Sequence, residues 1–358
     1  MVTMLDCIKR CAPLSADVVD NIKERAQPLI DYLKDDINSI SRIYIVGSGT
    51  SNNAAVTAKP LMEKVSGLEV ETIIPHTFGQ KTVYDKNGLY IFISQSGTST
   101  LTKEMVDRMN ASGCKTVAIS ESKDTPVAKK AKCYVDMGCG KEEYVYRTIG
   151  YVTTALTLVA IGLRLGLERK HITEDEYNSY LEDARLAIGN HPNIVNKTLS
   201  WYDKVSPNFK GARSFIFYGT EDLYGTALEG ALKVLEVAKT YLSIGYELED
   251  GLHGPNLGFN KQDIVIALNR RYKDDWLSQG LIKFAKNELT RGYIFGASPI
   301  DDTDLKFDNA SENFSFIEFA PAVEILSLKL AESLNIPVED AEHLTPHPSK
   351  KYFEMHRG

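Results

Sequence analysis

Seven consecutive residues, Ser94-Gln95-Ser96-Gly97-Thr98-Ser99-Thr100, carry five hydroxyls and one amide. At a strand-to-helix turn such a stretch aims backbone N–H groups, a helix dipole and hydroxyl donors at one point, as a phosphate monoester requires. Gly47-Ser48-Gly49-Thr50-Ser51 has the same character at what reads as a neighbouring strand end. One such turn alone would serve equally as a cluster of helix caps. Two on adjacent strands of a parallel sheet favour a phosphate site. The glycine pattern is neither a P-loop nor the dinucleotide Gly-x-Gly-x-x-Gly, because Asn52 follows where the third glycine should stand.

A second segment carries acid–base groups. In Ala227-Leu-Glu229-Gly-Ala-Leu-Lys233-Val-Leu-Glu236, the three charged residues fall at i, i+4 and i+7, on one helix face. On an arbitrary helix they would read as a surface salt-bridge ladder. Leu228, Leu232, Leu235 and Val237 fill much of the remaining circumference, so the helix is expected to be buried and its charges placed for chemistry. Downstream, His253 lies in Gly251-Leu-His253-Gly254-Pro255, a constrained loop position suited either to an acid–base role or to plain structure.

The elements needed to position these groups can be read from apolar patterning. Short β-branched runs at 42–46 and 89–93 each end in one of the two turns, with helical composition following from Asn52 and from Leu101. Thr116–Ile119 and Cys133–Asp136 read as further strands, and Tyr144–Leu167 as a long closing helix. The pattern restarts at Arg213-Ser-Phe-Ile-Phe-Tyr-Gly219, about 170–175 residues on, which suggests a duplicated domain. Asp263–Leu268, Gly292–Gly296 and Phe314–Glu318 read as its strands, and Ala227–Lys239 and Val323–Leu334 as helices. The fold expectation is α/β: two tandem doubly wound parallel-sheet domains with helices on both faces. The expected boundaries are a helical segment over 1–40, a first domain over 41–168, a helical connector over 169–210 broken at Pro192 and Pro207, a second domain over 211–340, and a tail over 341–358.

Composition narrows the class. The chain has 358 residues, 43% hydrophobic and 25% charged, with net charge −7. These values exclude a disordered chain or a disulfide miniprotein and argue against a nucleic-acid footprint. Five cysteines without a Cys-x-x-Cys motif suggest neither a metal site nor a disulfide framework, and fit a reducing, cytoplasmic setting. No apolar leader opens the sequence, and the longest apolar stretch, Ile149–Leu163, reads as a buried helix, so no membrane partner is expected. His76 is expected to be structural, His171 and His191 to lie on the surface, and Trp201 and Trp276 to serve packing.

Taken in order and spacing, Gly49-Thr50-Ser51, Ser94-Gln95-Ser96-Gly97, the Glu229/Lys233/Glu236 segment and His253-Gly254-Pro255 resemble the tandem SIS (sugar isomerase) domain family, a flavodoxin-like α/β fold. The likeness is to the isomerase half of glucosamine-6-phosphate synthases and to fructosamine-type 6-phosphate deglycases. The resemblance implies that Thr50, Ser51, Ser94, Gln95, Ser96 and Ser99 hold the phosphate of a hexose 6-phosphate or amino-sugar phosphate, with Ser48 and Gly49 lining the site. It implies Glu236 as the proton-shuttling base, Lys233 as its supporting charge and Glu229 as an orienting carboxylate. His253 would open the sugar ring, contributed across a homodimer interface, and no cofactor or metal is implied. His343 and His347, in a tail that folds over the sugar in the family, would line the site.

The departures from the family are informative. Met1-Val-Thr-Met-Leu-Asp-Cys7 leaves no room for a glutaminase half, so the expectation is a chain that does not draw ammonia from glutamine. Pro346 stands at the position of the synthase's tail lysine, and Thr98 replaces the common Glu after Ser-Gln-Ser-Gly. Both changes point towards a catabolic isomerase, deaminase or deglycase. The alternative is a non-catalytic sugar-phosphate sensor.

Overall fold

A computed structural model describes residues 2–270, 275–339, 351–353 and 355–356. After α1 (Met4–Asp20) and α2 (Ile22–Leu33), strands and helices alternate: β1 (Arg42–Val46), α3 (Thr50–Ser66), β2 (Glu69–Ile73), α4 (Pro75–Gly79), β3 (Leu89–Ile93), α5 (Thr100–Ala111), β4 (Lys115–Ser120), α6 (Pro126–Lys130), β5 (Cys133–Asp136) and α7 (Ile149–Glu168). All five strands pair in parallel in the order β2-β1-β3-β4-β5. Every residue of β3 is buried, as a strand covered on both faces requires. That is why it reads as an uninterrupted apolar run.

The 32-residue α8 (Glu174–Val205) leads to the second sheet. There β6 (Ser214–Gly219), α9 (Asp222–Lys233), β7 (Leu242–Glu247), α10 (Leu248–Leu252), β8 (Asp263–Asn269), α11 (Asp275–Phe284), β9 (Gly292–Gly296), β10 (Leu305–Lys306) and α12 (Ser315–Ser333) follow. The order β7-β6-β8-β9-β10, all parallel, repeats the topology of the first sheet. Two doubly wound domains in tandem are therefore present.

Among the described residues α7 is the one helix long and apolar enough to cross a membrane, and its apolar window is entirely buried. Its partner is α3. A Cβ built on Gly166 would overlap the Val65 carbonyl oxygen, so glycine lets the two backbones approach.

Several sequence expectations are corrected. Phe314–Glu318 is the entry to α12 rather than a strand, and the two-residue β10 is the last strand of its sheet. Helix α12 is buried over nearly its whole length, so its apolar run carries no period to mark it as helical. The helix expected from Tyr144 begins at Ile149. Pro192 does not break α8. His191 is fully buried rather than on the surface, and Trp276 is 70% exposed rather than packed. Trp201 packs as expected, in an aromatic group with Phe209, Tyr293 and Phe295.

The chain divides into two compact units, each assembled from three stretches. One holds the described residues of Met1–Ala12, Tyr144–Thr148 and Asp183–Leu344, with the second sheet. The other holds those of Pro13–Glu143, Ile149–Glu182 and Thr345–Gly358, with the first.

Candidate functional site

In the β1–β5 unit, β1 and β3 are neighbours whose chains leave towards β2 and β4 on opposite sides. Their carboxyl ends therefore flank the switch-point crevice, where open α/β sheets bind ligands. Both hydroxyl-rich turns lie there. Gly49, with φ 56° and ψ −131°, precedes α3, a conformation that side chains disfavour. Thr50 and Ser51 form the first turn of α3 and are half-buried, while Ser48 and Gly49 are exposed. Ser94 is buried at the end of β3, and its carbonyl accepts the Gly97 N–H at 3.0 Å. Gly97 has φ 67°, and a Cβ there would overlap Thr125. The Ser96 and Thr98 hydroxyls lie 2.8 Å apart. Ser99 caps α5 with no hydrogen bond from its side chain to the helix.

Two details of this turn were not foreseen: the partner of Gln95, and the residues by which the expected tail reaches it. The Gln95 amide, expected to face phosphate, donates through Nε2 to the buried Glu142 carboxylate at 3.0 Å. The far end of the chain also reaches the turn. Thr100 N–H donates to the Met355 carbonyl at 3.0 Å, His356 pairs with Ser99 in an antiparallel bridge, and His356 Nδ1 is 3.3 Å from Thr98 Oγ1. His343 and His347 lie outside the described residues.

The acid–base groups occupy the β6–β10 unit. Helix α9 presents Glu229 and Lys233, both with side chains 0% exposed, and the ammonium lies 3.2 Å from Glu229 Oε1. After Lys233 the helix widens into a π-turn over Val234–Ala238 that ends at Lys239, φ 57°. Glu236 sits on this turn, its side chain 35% exposed, and accepts from Lys233 Nζ at 2.6 Å. π-turns inside helices recur at functional positions. Burial works against the Lys233 charge, but Glu229 and then Glu236 outweigh it, so its pKa lies above the ordinary lysine value. The result is a fixed ammonium with one buried carboxylate behind it and one half-exposed carboxylate in front. Such a pair can hold a proton acceptor in place and stabilise negative charge developing beside it.

His253 follows α10, whose first turn is capped by the Glu247 carboxylate accepting from Glu249 N–H at 2.7 Å and Asp250 N–H at 3.1 Å. The His253 side chain is 72% exposed, with Nε2 2.7 Å from Glu249 Oε1. The carboxyl ends of β6 and β8 carry a different chemistry from those of β1 and β3. Arg270 NH1 pairs with Asp222 at 2.6 Å, and its NH2 pairs with Glu221. Burial, opposed by Arg270, pushes the Asp222 carboxyl up to about 6. An open cleft of about 550 Å³ on α8, lined by Arg185, Asn190, Asn193, Lys197 and Asp308, contains none of the candidate residues. No cluster of three potential metal ligands occurs among the described residues.

Residues 36–163 match the SIS domain family profile. The glutamine–fructose-6-phosphate aminotransferase [isomerizing] of Methanosarcina mazei is 25% identical over 272 residues, a stretch covering 76% of this chain and 43% of that protein. The chain thus spans under half the length of that relative. A solved Clostridium difficile 630 protein superposes with a TM-score of 0.85 at 20% identity, covering 99% of both chains. The C-terminal domain of glucosamine-fructose-6-phosphate aminotransferase from Francisella tularensis gives 0.80 at 20% identity, covering 92% of this chain and 95% of that one. Residues 36–163 thus match the SIS domain family, and the solved structures share the SIS α/β fold, built twice along the chain.

Proposed function

We propose that the protein is an enzyme acting on an amino- or amine-conjugated hexose 6-phosphate. It moves a proton at the carbon beside a carbonyl or imine, as an isomerase, deaminase or deglycase does. The observation that carries this reading is the Lys233 ammonium fixed between buried Glu229 and half-exposed Glu236. A pure binding protein gains nothing from a buried charge held against a half-exposed base, and the desolvation is costly.

In this reading the turns at 47–51 and 94–100 hold the phosphate through hydroxyls and helix N-termini. His253 donates a proton to the ring oxygen, opening the sugar to its carbonyl or imine form. Glu236 removes the proton from the adjacent carbon and returns it to the neighbouring carbon. Lys233 stabilises the enolate or enolamine formed between the two transfers. Where nitrogen leaves, water hydrolyses the imine to a carbonyl and releases ammonia or the amine. The aminotransferase relatives are named for chemistry on fructose 6-phosphate, which agrees with this substrate class.

We further propose that His253 serves a second copy of the chain in a homodimer. Supporting this, His253 is exposed within one chain, and Leu242 (66%) and Leu257 (87%) expose apolar surface on the strand and loop that flank it.

The test is release of ammonia or amine from glucosamine 6-phosphate and from fructosamine 6-phosphate conjugates of amino acids, alongside aldose–ketose interconversion of hexose 6-phosphates. Turnover by the wild type that is lost in Glu236→Gln supports the proposal. Binding of hexose 6-phosphate without turnover of any substrate refutes it and leaves a sensor.

A further inference from the structure

We propose that Glu142 is a positioning residue: it holds the phosphate turn in its binding shape by acting through Gln95. This rests on the reading of residues 94–100 as a phosphate site.

Glu142 lies between β5 and α7 and is only 5% exposed. Donors from two separate elements converge on its carboxylate. Oε1 accepts the Ile149 N–H at 3.1 Å, and Oε2 accepts the Gly150 N–H at 3.2 Å and Gln95 Nε2 at 3.0 Å. Ile149 and Gly150 open α7, so their N–H groups have no acceptor within the helix. A carboxylate there satisfies both, and its charge is offset by the positive end of a 20-residue helix. Glu142 is therefore anchored to α7 and offers Gln95 an immobile acceptor.

The other end of the Gln95 amide is confined as well. A Cβ at Gly150 would overlap Gln95 Oε1, so the amide lies directly against the α7 backbone, where only glycine leaves room. The Gln95 main chain is fixed independently, its carbonyl accepting the Glu121 N–H at 3.0 Å. A residue pinned by main chain and side chain thus starts the turn from which Ser96 to Thr100 follow. The amide is committed to Glu142, which leaves phosphate recognition to the hydroxyls and N–H groups downstream. A turn held in its bound shape before the ligand arrives avoids the ordering cost on binding.

The experiment measures the Kd of fructose 6-phosphate and of inorganic phosphate by calorimetry on the full chain. The proteins are wild type, Glu142→Gln, Gln95→Ala, the double variant and Gly150→Ala, with the melting temperature of each recorded. Each single variant is expected to weaken both ligands roughly tenfold, the scale of one lost charge-assisted hydrogen bond. The double variant is expected to be no weaker than the worse single, because both changes cut one link. Gly150→Ala should reproduce the loss by displacing the amide and leaving the carboxylate in place. In turnover the loss should fall on KM more than on kcat.

Unchanged affinity in the single variants overturns the proposal. So does an additive double variant, near a hundredfold, which would mean that Glu142 acts independently of Gln95. If Glu142→Gln does not fold, Gln95→Ala with Gly150→Ala forms the same cycle with the same two outcomes. A wild type that binds neither ligand removes the phosphate-site reading itself, a result distinct from normal binding that survives the substitutions.

Discussion

Replacing Lys233 by Met should separate the structural from the chemical half of the acid–base cluster. In the wild type the ammonium stands 3.2 Å from a carboxylate whose side chain is 0% exposed. At an effective dielectric of about 20 that separation corresponds to an attraction of about 5 kcal/mol. Lys233→Met leaves Glu229 buried without this cation, and removing one partner of a buried pair typically costs about 3–5 kcal/mol. Adding Glu229→Leu removes the stranded charge, so the double variant should regain most of the loss. Glu236→Gln should behave differently. Its carboxylate is 35% exposed and leaves the Lys233–Glu229 pair intact, so the stability cost should be about 1 kcal/mol or less. Urea unfolding of the four proteins, followed at far-UV and aromatic wavelengths, gives the stabilities, and amine release or isomerisation gives the activities. Lys233→Met should be unstable and inactive, the double variant stable and inactive, and Glu236→Gln stable and inactive. Equal instability of the single and double variants, or a Glu236→Gln loss as large as that of Lys233→Met, would refute the assignment of roles.

Other perturbations should have equally specific results. Burial holds His191 neutral, its pKa depressed from 6.5 to about 4. Its contribution to stability is therefore complete above pH 6.5 and lost as pH falls towards 4, by roughly 3 kcal/mol. The urea midpoint of His191→Leu should fall less over that interval than the wild type's. Gly166→Ala drives a methyl into the Val65 carbonyl at the α3–α7 contact and should cost about 2–4 kcal/mol, read as a lower melting temperature. Gly97→Ala combines an unfavourable positive φ with overlap on Thr125, and should weaken inorganic phosphate binding at least tenfold by calorimetry.

The legible parts of this chain were those where local chemistry and tertiary position agree. The strands β1 and β3 are interior to their sheet and covered on both faces, so 43–46 and 89–93 are continuous apolar runs. The charged face shared by α9 and the π-turn after it is visible because Glu229, Lys233 and Glu236 repeat at helical spacing. Strand β7 was missed because it lies at the sheet edge with mixed exposure and carries Gly245, where a Cβ would crowd the Ala227 backbone at 2.7 Å. His191 misled because it follows Asn190 and precedes Pro192 in a polar stretch, yet points into the core side of α8 beside Ala187, Ile194 and Val195. Glu142 gave no signal at all. It reaches Ile149 and Gly150 from seven and eight residues away, outside any capping-box spacing, and its link to Gln95 spans 47 residues.

The assembly of each unit from three stretches has a consequence for how this protein can be inherited and engineered. A duplicated gene whose halves stayed contiguous could be cut once to recover two autonomous modules. Here the opening dozen residues belong with the second sheet, and the last described residues belong with the first. Every single cut in the gene leaves at least one product without part of its own fold. The exchange of ends means that no single division of the chain returns both units whole.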